Sequence, residues 1–370
     1  MLKNKPLLVV VLFVFILLAI FIAKTSSFYP FLFQLLTSKD VNLKQSNSKI
    51  NILILGIGGG THDGPNQTDT IILATLDQKN DKVTLSSIPR DLWIPDLTGN
   101  DKKINSAYAY GEIIRKGGGL PLAKAVVRKV TGQEIDYGVR IDFSGFVKAV
   151  DIIGGLDINV DNTFDDYQYP ISGKEDDPCG KTPEQLQALA TESADQQVQD
   201  LSCRYKHLHF DKGLTHMDGE TALEYVRSRH ASQAIEASDF ARSKRQEKVI
   251  SAFKNKVLSA QTLINPAKIL RLYTVLQGSI DTDIKQSEFD DFVRLAQQMK
   301  NAKIQSAVID MGNEQNNRYG LLTHPDITAE YNYEWVLTPR AGSGNYSEIQ
   351  SYVSCMITKG NCIVPSKVSY

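Results

Sequence analysis

The chain has 370 residues, of which 42% are hydrophobic and 22% charged, enough for one large or two ordinary domains with a sizeable core. This composition excludes a disordered, collagen-like or small disulfide-stapled protein. The 41 basic and 42 acidic side chains give a formal net charge of −1, so we expect no nucleic-acid partner, and any anion site must be a local cluster.

The first predicted element is a membrane anchor. Residues 7–23 form an unbroken apolar run that follows Lys3 and Lys5. As a helix this run would span roughly 26 Å, close to the hydrocarbon thickness of a bilayer, which is about 30 Å. A cleaved signal peptide is the alternative, but its apolar part is usually shorter and ends in small residues, where this chain has Phe21 and Ile22.

We therefore predict a cytoplasmic tail over residues 1–6, a transmembrane anchor over 7–24 and a linker over 25–48. Lysines lie on both sides of the anchor, so the charges alone leave its orientation open.

The cysteines bear on this orientation. Cys179 and Cys203 form one close pair and Cys355 and Cys362 another, without the Cys-x-x-Cys spacing of zinc sites. Two disulfides would persist only outside the cytosol, so this pairing favours an inner N-terminus and an extracytoplasmic body on the cytoplasmic membrane. Four free thiols are the alternative.

The folded body is predicted from the spacing of apolar residues, with a period of two for strands and about 3.6 for helices. In chain order the predicted elements are strands at 51–55, 70–76 and 83–88, helices at 120–130 and 143–153, a strand at 156–160, a polar insertion at about 165–204, helices at 218–230 and 239–258, a helical stretch at 265–300 split near Gly278, strands at 303–309 and 333–337, and a helix at 346–352. Strands that alternate with helices favour an α/β or α+β class with a mixed sheet covered by helices.

The helix at 239–258 directs polar groups inward. Arg242, Gln246, Val249, Phe253 and Val257 follow one another at spacings that place them on one stripe of the helix. The apolar members indicate that this stripe faces the interior or a cleft. An inward guanidinium suits a carboxylate or a phosphate, so both a structural ion pair and an anion site remain open for Arg242.

Further arginines accompany this stripe. Arg227 and Arg229 flank the buried face at the end of the preceding helix, and Arg90 and Asp91 lie just past a predicted strand end. An Arg-x-Arg pair alone is usually a solvated surface. Together with the inward-facing Arg242, however, Arg227 and Arg229 make three converging cations. Such a cluster is what a pyrophosphate needs while the bond to its leaving oxygen breaks.

One carboxylate stands out as a metal ligand. Asp69 opens a strand between Thr68 and Thr70, and Mg²⁺ is usually held by one or two carboxylates together with substrate phosphates. Capping or turn formation is the alternative role for Asp69. The glycine-rich loop at 56–60 lacks the spacing and lysine of a P-loop.

Seven blocks resemble the LytR-CpsA-Psr family of cell-envelope enzymes, in the family's order and over about residues 49–258: NILILG, TDTIIL, LSSIPRDLWI, KINSAYAYG, VRIDFSGFVKAVDIIGGLDINV, HMDGETALEYVRSRH and SDFARSKRQEKVI. The resemblance implies a membrane-anchored phosphotransferase. Such an enzyme moves a glycopolymer, for example a teichoic acid or capsule chain, from a polyprenyl pyrophosphate carrier to peptidoglycan through a phosphodiester bond.

The resemblance also implies a fold, an α-β-α sandwich with a central mixed sheet and an apolar, lipid-binding pocket. We expect the helices at 120–130 and 143–153 to line that pocket. Residues 49–258 would form the catalytic domain, and residues 259–370 a C-terminal extension of helices and strands.

Site residues follow from the same resemblance. Asp69 matches the metal-associated aspartate, with Mg²⁺ as the cofactor, and the family's pyrophosphate-binding positions match Arg90, Arg227, Arg229, Arg242 and Gln246. We add Asp91 as the candidate general base.

The chain departs from the family at Gly58, where an aspartate is usual, and at Gln67, where an arginine is usual. Asp63 or His62 in the same loop is the candidate replacement for the missing metal ligand. Two other functions stay open: hydrolysis of a polyprenyl pyrophosphate, with water as acceptor, and non-catalytic glycolipid binding or regulation at the membrane.

Overall fold

The computed structural model describes residues 40–59, 64–257, 271, 278–299, 301–313 and 318–366. The strands in these ranges are β1 Ile50–Ile57, β2 Thr68–Asp77, β3 Lys82–Ser87, β4 Tyr137–Asp142, β5 Leu156–Val160, β6 Phe164–Pro170, β7 Tyr205–Phe210, β8 Gly213–Met217, β9 Ile280–Thr282, β10 Lys303–Val308, β11 Gly312–Asn313, β12 Arg318–Tyr319, β13 Leu322–Thr323 and β14 Thr338–Pro339. The α-helices are α1 Ala107–Ile114, α2 Gly119–Thr131, α3 Phe143–Ile153, α4 Pro183–Leu189, α5 Ala194–Asp200, α6 Gly219–Arg227, α7 Asp239–Val257, α8 Phe289–Gln298 and α9 Ser347–Thr358.

None of the helices in these ranges has both the length and the apolar character that a membrane span requires. The predicted anchor at 7–24 lies outside the described residues, as do Asp63 and His62.

A six-stranded sheet in the order β10-β3-β2-β1-β4-β9 forms the centre of the fold. β1 pairs antiparallel with β2 and parallel with β4, while β10 pairs parallel with β3. The predicted mixed α/β class with a central mixed sheet is therefore confirmed. The two edge strands β9 and β10 follow residue 258, so residues on both sides of the predicted boundary build one sheet.

Helices cover both faces of this sheet, which is why its central strands are apolar on both sides. Side chains of β1 alternate between two cores, with Ile50 and Ile52 in the first and Leu53 and Leu55 in the second. Residues of α3, α6, α7 and α8 complete the first core, and residues of α1, α2 and α9 complete the second.

Local signals explain the helix that agrees fully with the sequence prediction. The Asp142 side chain caps α3 by accepting a hydrogen bond from the Gly145 amide. Gly154, with φ of 88°, ends the helix in the left-handed conformation that glycine adopts without steric cost. The predicted bounds 143–153 are the observed ones.

Other predictions need correction. The stretch predicted as helical at 265–300 contains the strand β9 before α8. The sequence did not indicate this strand because its three residues are too few to show a period of two. The strand predicted at 333–337 forms only at Thr338–Pro339. The polar insertion at 165–204 is partly regular, since β6 pairs antiparallel with β7.

Both predicted disulfides are present, Cys179–Cys203 within the insertion and Cys355–Cys362 after α9. The alternative of four free thiols is therefore wrong.

Candidate functional site

The predicted site residues meet at one edge of the central sheet. The carboxyl ends of β1, β3, β4 and β10 lie at this edge together with the start of the antiparallel β2, as their registers require. Ligands of α/β proteins commonly bind outside the carboxyl ends of the strands. Asp69 lies on β2, Arg90 follows β3, and α6 and α7 bring the other arginines.

A cavity of about 130 Å³, which we call the arginine cavity, collects these residues. It is lined by Asp69, Thr70, Arg90, Asp166, Gln168, Tyr169, Pro170, Val226, Arg227, Arg229, His230, Arg242 and Gln246. Four guanidinium groups thus face two carboxylates. The excess positive charge fits a di-anionic or more highly charged ligand.

The carboxylates of Asp69 and of Asp91, which lies outside the cavity lining, hold three of these arginines in place. Asp69 Oδ1 lies 2.5 Å from Arg90 Nη1, and its Oδ2 lies 3.8 Å from Arg227 Nη2. Asp91 Oδ2 lies 3.3 Å from Arg229 Nη2 and 3.6 Å from Arg90 Nε. Burial lowers the pKa of Arg90, but the charges of Asp69 and Asp91 outweigh it and leave that pKa raised, so Arg90 stays protonated.

Aromatic rings form the wall behind Arg227. Its guanidinium carbon lies 4.5 Å from the centre of the Phe143 ring, and its Nη1 donates a 3.3 Å hydrogen bond to the Tyr169 hydroxyl. Burial raises the pKa of Tyr169 to about 12, so this hydroxyl stays neutral. Tyr169 and Phe143 therefore fix the direction of Arg227 without cancelling its charge.

Asp166, which the sequence analysis missed, organises the chain between the arginines. This fully buried carboxylate accepts hydrogen bonds from Ser228 Oγ at 2.7 Å and from the amides of Arg229 and His230 at 3.2 Å each. Because these bonds turn the chain away from the helix axis, α6 ends at Arg227, three residues before the predicted end at residue 230. Arg229 therefore lies in a loop and not on the helix.

His230 was also missed. Desolvation beside the cavity lowers the pKa of His230, and the charges of Arg229 and Arg90 lower it further against the opposing effect of Asp166. The imidazole is accordingly neutral at pH 7 and keeps one ring nitrogen as a hydrogen-bond acceptor. The sequence signal was only its place directly after the Arg-x-Arg pair.

The prediction that one stripe of α7 faces inward is correct, but its polar members are less buried than its apolar ones. Val249 and Phe253 are buried, whereas Arg242 and Gln246 are half-buried and line the arginine cavity. The fully buried arginine of α7 is Arg245. It forms the kind of structural ion pair that was the alternative for Arg242, with Glu236 Oε2 at 2.8 Å.

An apolar cavity of about 130 Å³ adjoins the arginine cavity and shares Thr70, Val226 and Gln246 with it. The remaining lining residues are Ile54, Gly56, Ile72, Ile141, Phe143, Phe146, Leu223, Val249, Ile250 and Phe253. Helix α3 contributes Phe143 and Phe146 to this lining. Helix α2, the other helix expected to line a lipid pocket, does not line this cavity, because α2 packs in the second core on the opposite face of the sheet.

The glycine-rich loop leads to a third concavity. Gly58 and Gly59 line a groove of about 620 Å³ together with Asp142 and Arg227. Among the described residues, the group of metal-ligating side chains that converges is Asp177, Cys179 and Cys203, and both cysteines are in a disulfide. That group therefore offers no thiolate to a metal ion.

Comparison with known proteins identifies a family and a shared fold. The LytR_cpsA_psr family is matched by residues 32–332 of the chain. The polyisoprenyl-teichoic acid–peptidoglycan teichoic acid transferase TagU of Bacillus cereus is 29% identical over 69% of this chain and 66% of its own length. TagV of Bacillus subtilis is 30% identical over 64% of this chain and 50% of its own length, and the biofilm regulatory protein A of Streptococcus mutans is 29% identical over the same shares.

The chain thus spans between one half and two thirds of these curated relatives. Among solved structures, that of B. subtilis TagV has a TM-score of 0.50 at 24% identity, covering 84% of this chain and 99% of its own. The protein gbs0355 of Streptococcus agalactiae has a TM-score of 0.52 at 20% identity, covering 83% and 88%. These likenesses show a shared fold.

Proposed function

The chain belongs to the LytR-CpsA-Psr family, and from this membership we propose that it is a phosphotransferase of envelope assembly. It would move a glycopolymer from a polyprenyl-pyrophosphate carrier to peptidoglycan, as the names of its relatives describe for teichoic acid. The observation that carries the proposal is the arginine cavity, whose four guanidiniums lie directly against an apolar cavity.

The two adjoining cavities match the two parts of the donor. We propose that the apolar cavity receives the polyprenyl chain and that the arginine cavity receives the pyrophosphate. Thr70, Val226 and Gln246 lie on the shared wall, so a lipid-linked pyrophosphate would pass between them without leaving protein contact. Burial of apolar chain against Phe146, Val249 and Phe253 would supply affinity that does not depend on the identity of the glycan.

The reaction is a substitution at phosphorus. A hydroxyl of the acceptor sugar attacks the phosphorus that carries the glycopolymer, and the bond from this phosphorus to the bridging oxygen breaks. Polyprenyl phosphate leaves with the bond's electron pair, and the hydroxyl proton passes to Asp91. Arg90, Arg227 and Arg229 are held by carboxylates before the substrate arrives, so they stabilise the developing charge with little reorganisation.

Mg²⁺ fits this site through Asp69. Its carboxylate lines the arginine cavity, and Mg²⁺ commonly binds one or two protein carboxylates plus substrate phosphates. When bound, the ion would neutralise phosphate charge. Asp63 remains the candidate second ligand, and Asp142 shares the lining of the adjoining groove with Gly58, the position at which the family's aspartate is missing.

We further propose that the body lies outside the cytoplasmic membrane, held by the anchor at 7–24 with the tail 1–6 inside. The two disulfides support this location because thiols stay reduced in most cytosols. Residues 49–258 would be the catalytic domain and 259–370 its extension. A reporter enzyme fused after residue 370 should be active only outside the cytosol, and activity only inside would contradict the topology.

Product analysis tests the reaction. Full-length protein in detergent is incubated with Mg²⁺, a radiolabelled polyprenyl-pyrophosphate-linked glycan and peptidoglycan. We expect label in peptidoglycan and release of polyprenyl phosphate. Free glycan phosphate without label in peptidoglycan would instead establish hydrolysis. Absence of turnover, with binding of the lipid that Arg227→Ala removes, would establish a binding or regulatory protein.

A further inference from the structure

A groove of about 520 Å³ opens on the other side of the arginines. It shares Arg90, Arg229, His230 and Arg242 with the arginine cavity but has no lining residue in common with the apolar cavity. The cluster of cations thus separates the apolar cavity from a second, open space. We call the latter the Trp335 groove.

The Trp335 groove presents apolar side chains to solvent. Trp335 is 43% exposed and Met311 is 45% exposed, although both line a concave surface beside charged groups. His324 backs the indole, with ring centres 5.1 Å apart and planes tilted by 27°. His324 is itself held by Nδ1, which lies 2.9 Å from the Val336 carbonyl oxygen. An exposed indole that is supported from behind is a preformed platform.

Polar groups around this platform are fixed. Both oxygens of the Asp310 carboxylate accept from Arg318, at 2.9 and 2.7 Å. The Lys103 ammonium lies 2.5 Å from Glu334. Asp91, the candidate base, lines this groove and not the arginine cavity. A flat apolar platform within reach of fixed polar groups suits a sugar ring, whose faces carry C–H bonds and whose edge carries hydroxyls.

We propose that the Trp335 groove binds the acceptor glycan, with a pyranose ring on Trp335 and Met311 and the attacking hydroxyl directed toward Asp91. This inference rests on the proposed transfer reaction and names the place of its second substrate. The choice of acceptor over donor follows from the geometry of phosphoryl transfer. The attacking and leaving oxygens lie roughly in line, and the leaving polyprenyl phosphate belongs to the apolar side of the arginines.

Tryptophan fluorescence tests binding without catalysis. The chain has two tryptophans, and Trp93 is 5% exposed, so a saccharide that changes emission acts through Trp335. The probe is the tetramer of N-acetylglucosamine, added to the full-length protein in detergent without donor. We expect a saturable change in emission that Trp335→Ala abolishes. No change in emission at millimolar tetramer, or a change that persists in Trp335→Ala, would contradict saccharide binding in the Trp335 groove.

Transfer kinetics identify which glycan is bound. Trp335→Ala should raise the KM for the peptidoglycan acceptor about tenfold, the equivalent of about 1.4 kcal/mol, and leave the KM for the lipid-linked donor unchanged. Met311→Ala should act in the same direction without loss of folding, because this side chain is half exposed. The matched control is Tyr333→Ala, an exposed aromatic residue two positions from Trp335 that does not line the groove.

The outcomes separate the two proposals. A raised donor KM with an unchanged acceptor KM would overturn the acceptor assignment. Suppose that Trp335→Ala and Met311→Ala leave the KM values of both substrates unchanged while the parent protein transfers normally. That result would overturn the acceptor site in the Trp335 groove and leave the proposed function standing. Saturable binding of the tetramer at Trp335 by a protein that transfers nothing would overturn the proposed function and leave a saccharide site.

Discussion

The Asp166 carboxylate accepts a 2.7 Å hydrogen bond from the Ser228 hydroxyl, and both residues are 0% exposed. Ser228 stands between Arg227 and Arg229, so this bond ties the strand β6 to the segment that carries two of the site's cations. The same carboxylate accepts from two backbone amides of that segment. Asp166 is therefore a positioning residue, which acts on the ligand through the arginines.

Replacing Asp166 by asparagine tests this role. Asn keeps the size but loses the charge, and its one acceptor oxygen cannot serve both the three donors that meet Oδ2 and the Gln168 amide that meets Oδ1, so unfolding should become easier by about 1.5–3 kcal/mol. The affinity for inorganic pyrophosphate, measured by calorimetry, should fall together with kcat for transfer. Asp165→Asn is the matched control, since Asp165 contacts the exposed His207 and His209 instead. Normal pyrophosphate affinity in Asp166→Asn would contradict the positioning role.

Two arginines on α7, three residues apart, should separate chemistry from stability. Arg245→Met removes the cation that pairs with the buried Glu236 carboxylate, whose other oxygen accepts from Asn162, so the free energy of unfolding should fall by about 3–5 kcal/mol. Arg242→Met removes a cation from the arginine cavity, where the loss of a preorganised donor typically costs about 2.7–4 kcal/mol in the transition state. Its kcat should therefore fall roughly 100- to 1,000-fold.

Urea unfolding and transfer assays of both variants decide the point, with the Arg242 variant expected to lose much less stability than the Arg245 variant. If Arg242→Met unfolds as early as Arg245→Met yet transfers glycan normally, Arg242 is part of the scaffold. The site would then depend on Arg90, Arg227 and Arg229.

Sequence reasoning was most successful where the determining contacts are local. Helix α3 was bounded correctly because Asp142 and Gly154 cap it from within a few residues. Arg242 and Gln246 were oriented correctly because a helix repeats every 3.6 residues. Asp166 could not be found in this way, since its partner Ser228 is 62 residues away and an insertion separates them.

The Trp335 groove was missed for the same reason. It joins the loop after β3, the loop after α6, the end of β10 and a segment near β14, which only the folding of the sheet brings together. Neither Trp335 nor Met311 belongs to a motif, and an isolated exposed aromatic residue is ordinary on protein surfaces. Trp335 indicates a binding site only because the fold places it in one groove with the arginines.

The hairpin that carries Asp166 contains an ion pair between His209 and Asp165 whose titration can be predicted. The hydrogen bonds that His209 donates to Asp165 and Asp211 raise the pKa of His209 above 6.5, and the hydrogen bonds that Asp165 accepts from His209 and His207 lower the pKa of Asp165 below 3.8. The His209 contribution to stability is present below pH 6.5 and is lost as pH rises through its folded pKa. The Asp165 contribution is present above pH 3.8 and is lost as pH falls through its folded pKa.

The β6–β7 hairpin should therefore be most stable between pH 3.8 and pH 6.5, where both contributions are fully present. NMR titration of the His209 ring should give a pKa above 6.5, and Asp165→Asn should lower it toward that value. An unchanged His209 pKa in Asp165→Asn would show that the pair does not form in solution.

The contact between Asp69 and Arg90 allows a test of the metal site that does not depend on activity alone. If Asp69 binds Mg²⁺, Asp69→Asn should weaken Mg²⁺ binding, measured by calorimetry in the presence of inorganic pyrophosphate, and lower transfer in parallel. Arg90→Gln removes the cation closest to Asp69, so Mg²⁺ affinity measured without pyrophosphate should be kept or increased while kcat falls. Asp91→Asn is the control for Mg²⁺ affinity, which it should leave unchanged, because Asp91 contacts the same arginine but lines the other groove; as the candidate base it should still lower transfer. Full transfer in excess chelator, or an unchanged Mg²⁺ affinity in Asp69→Asn, would restrict Asp69 to holding Arg90 and Arg227.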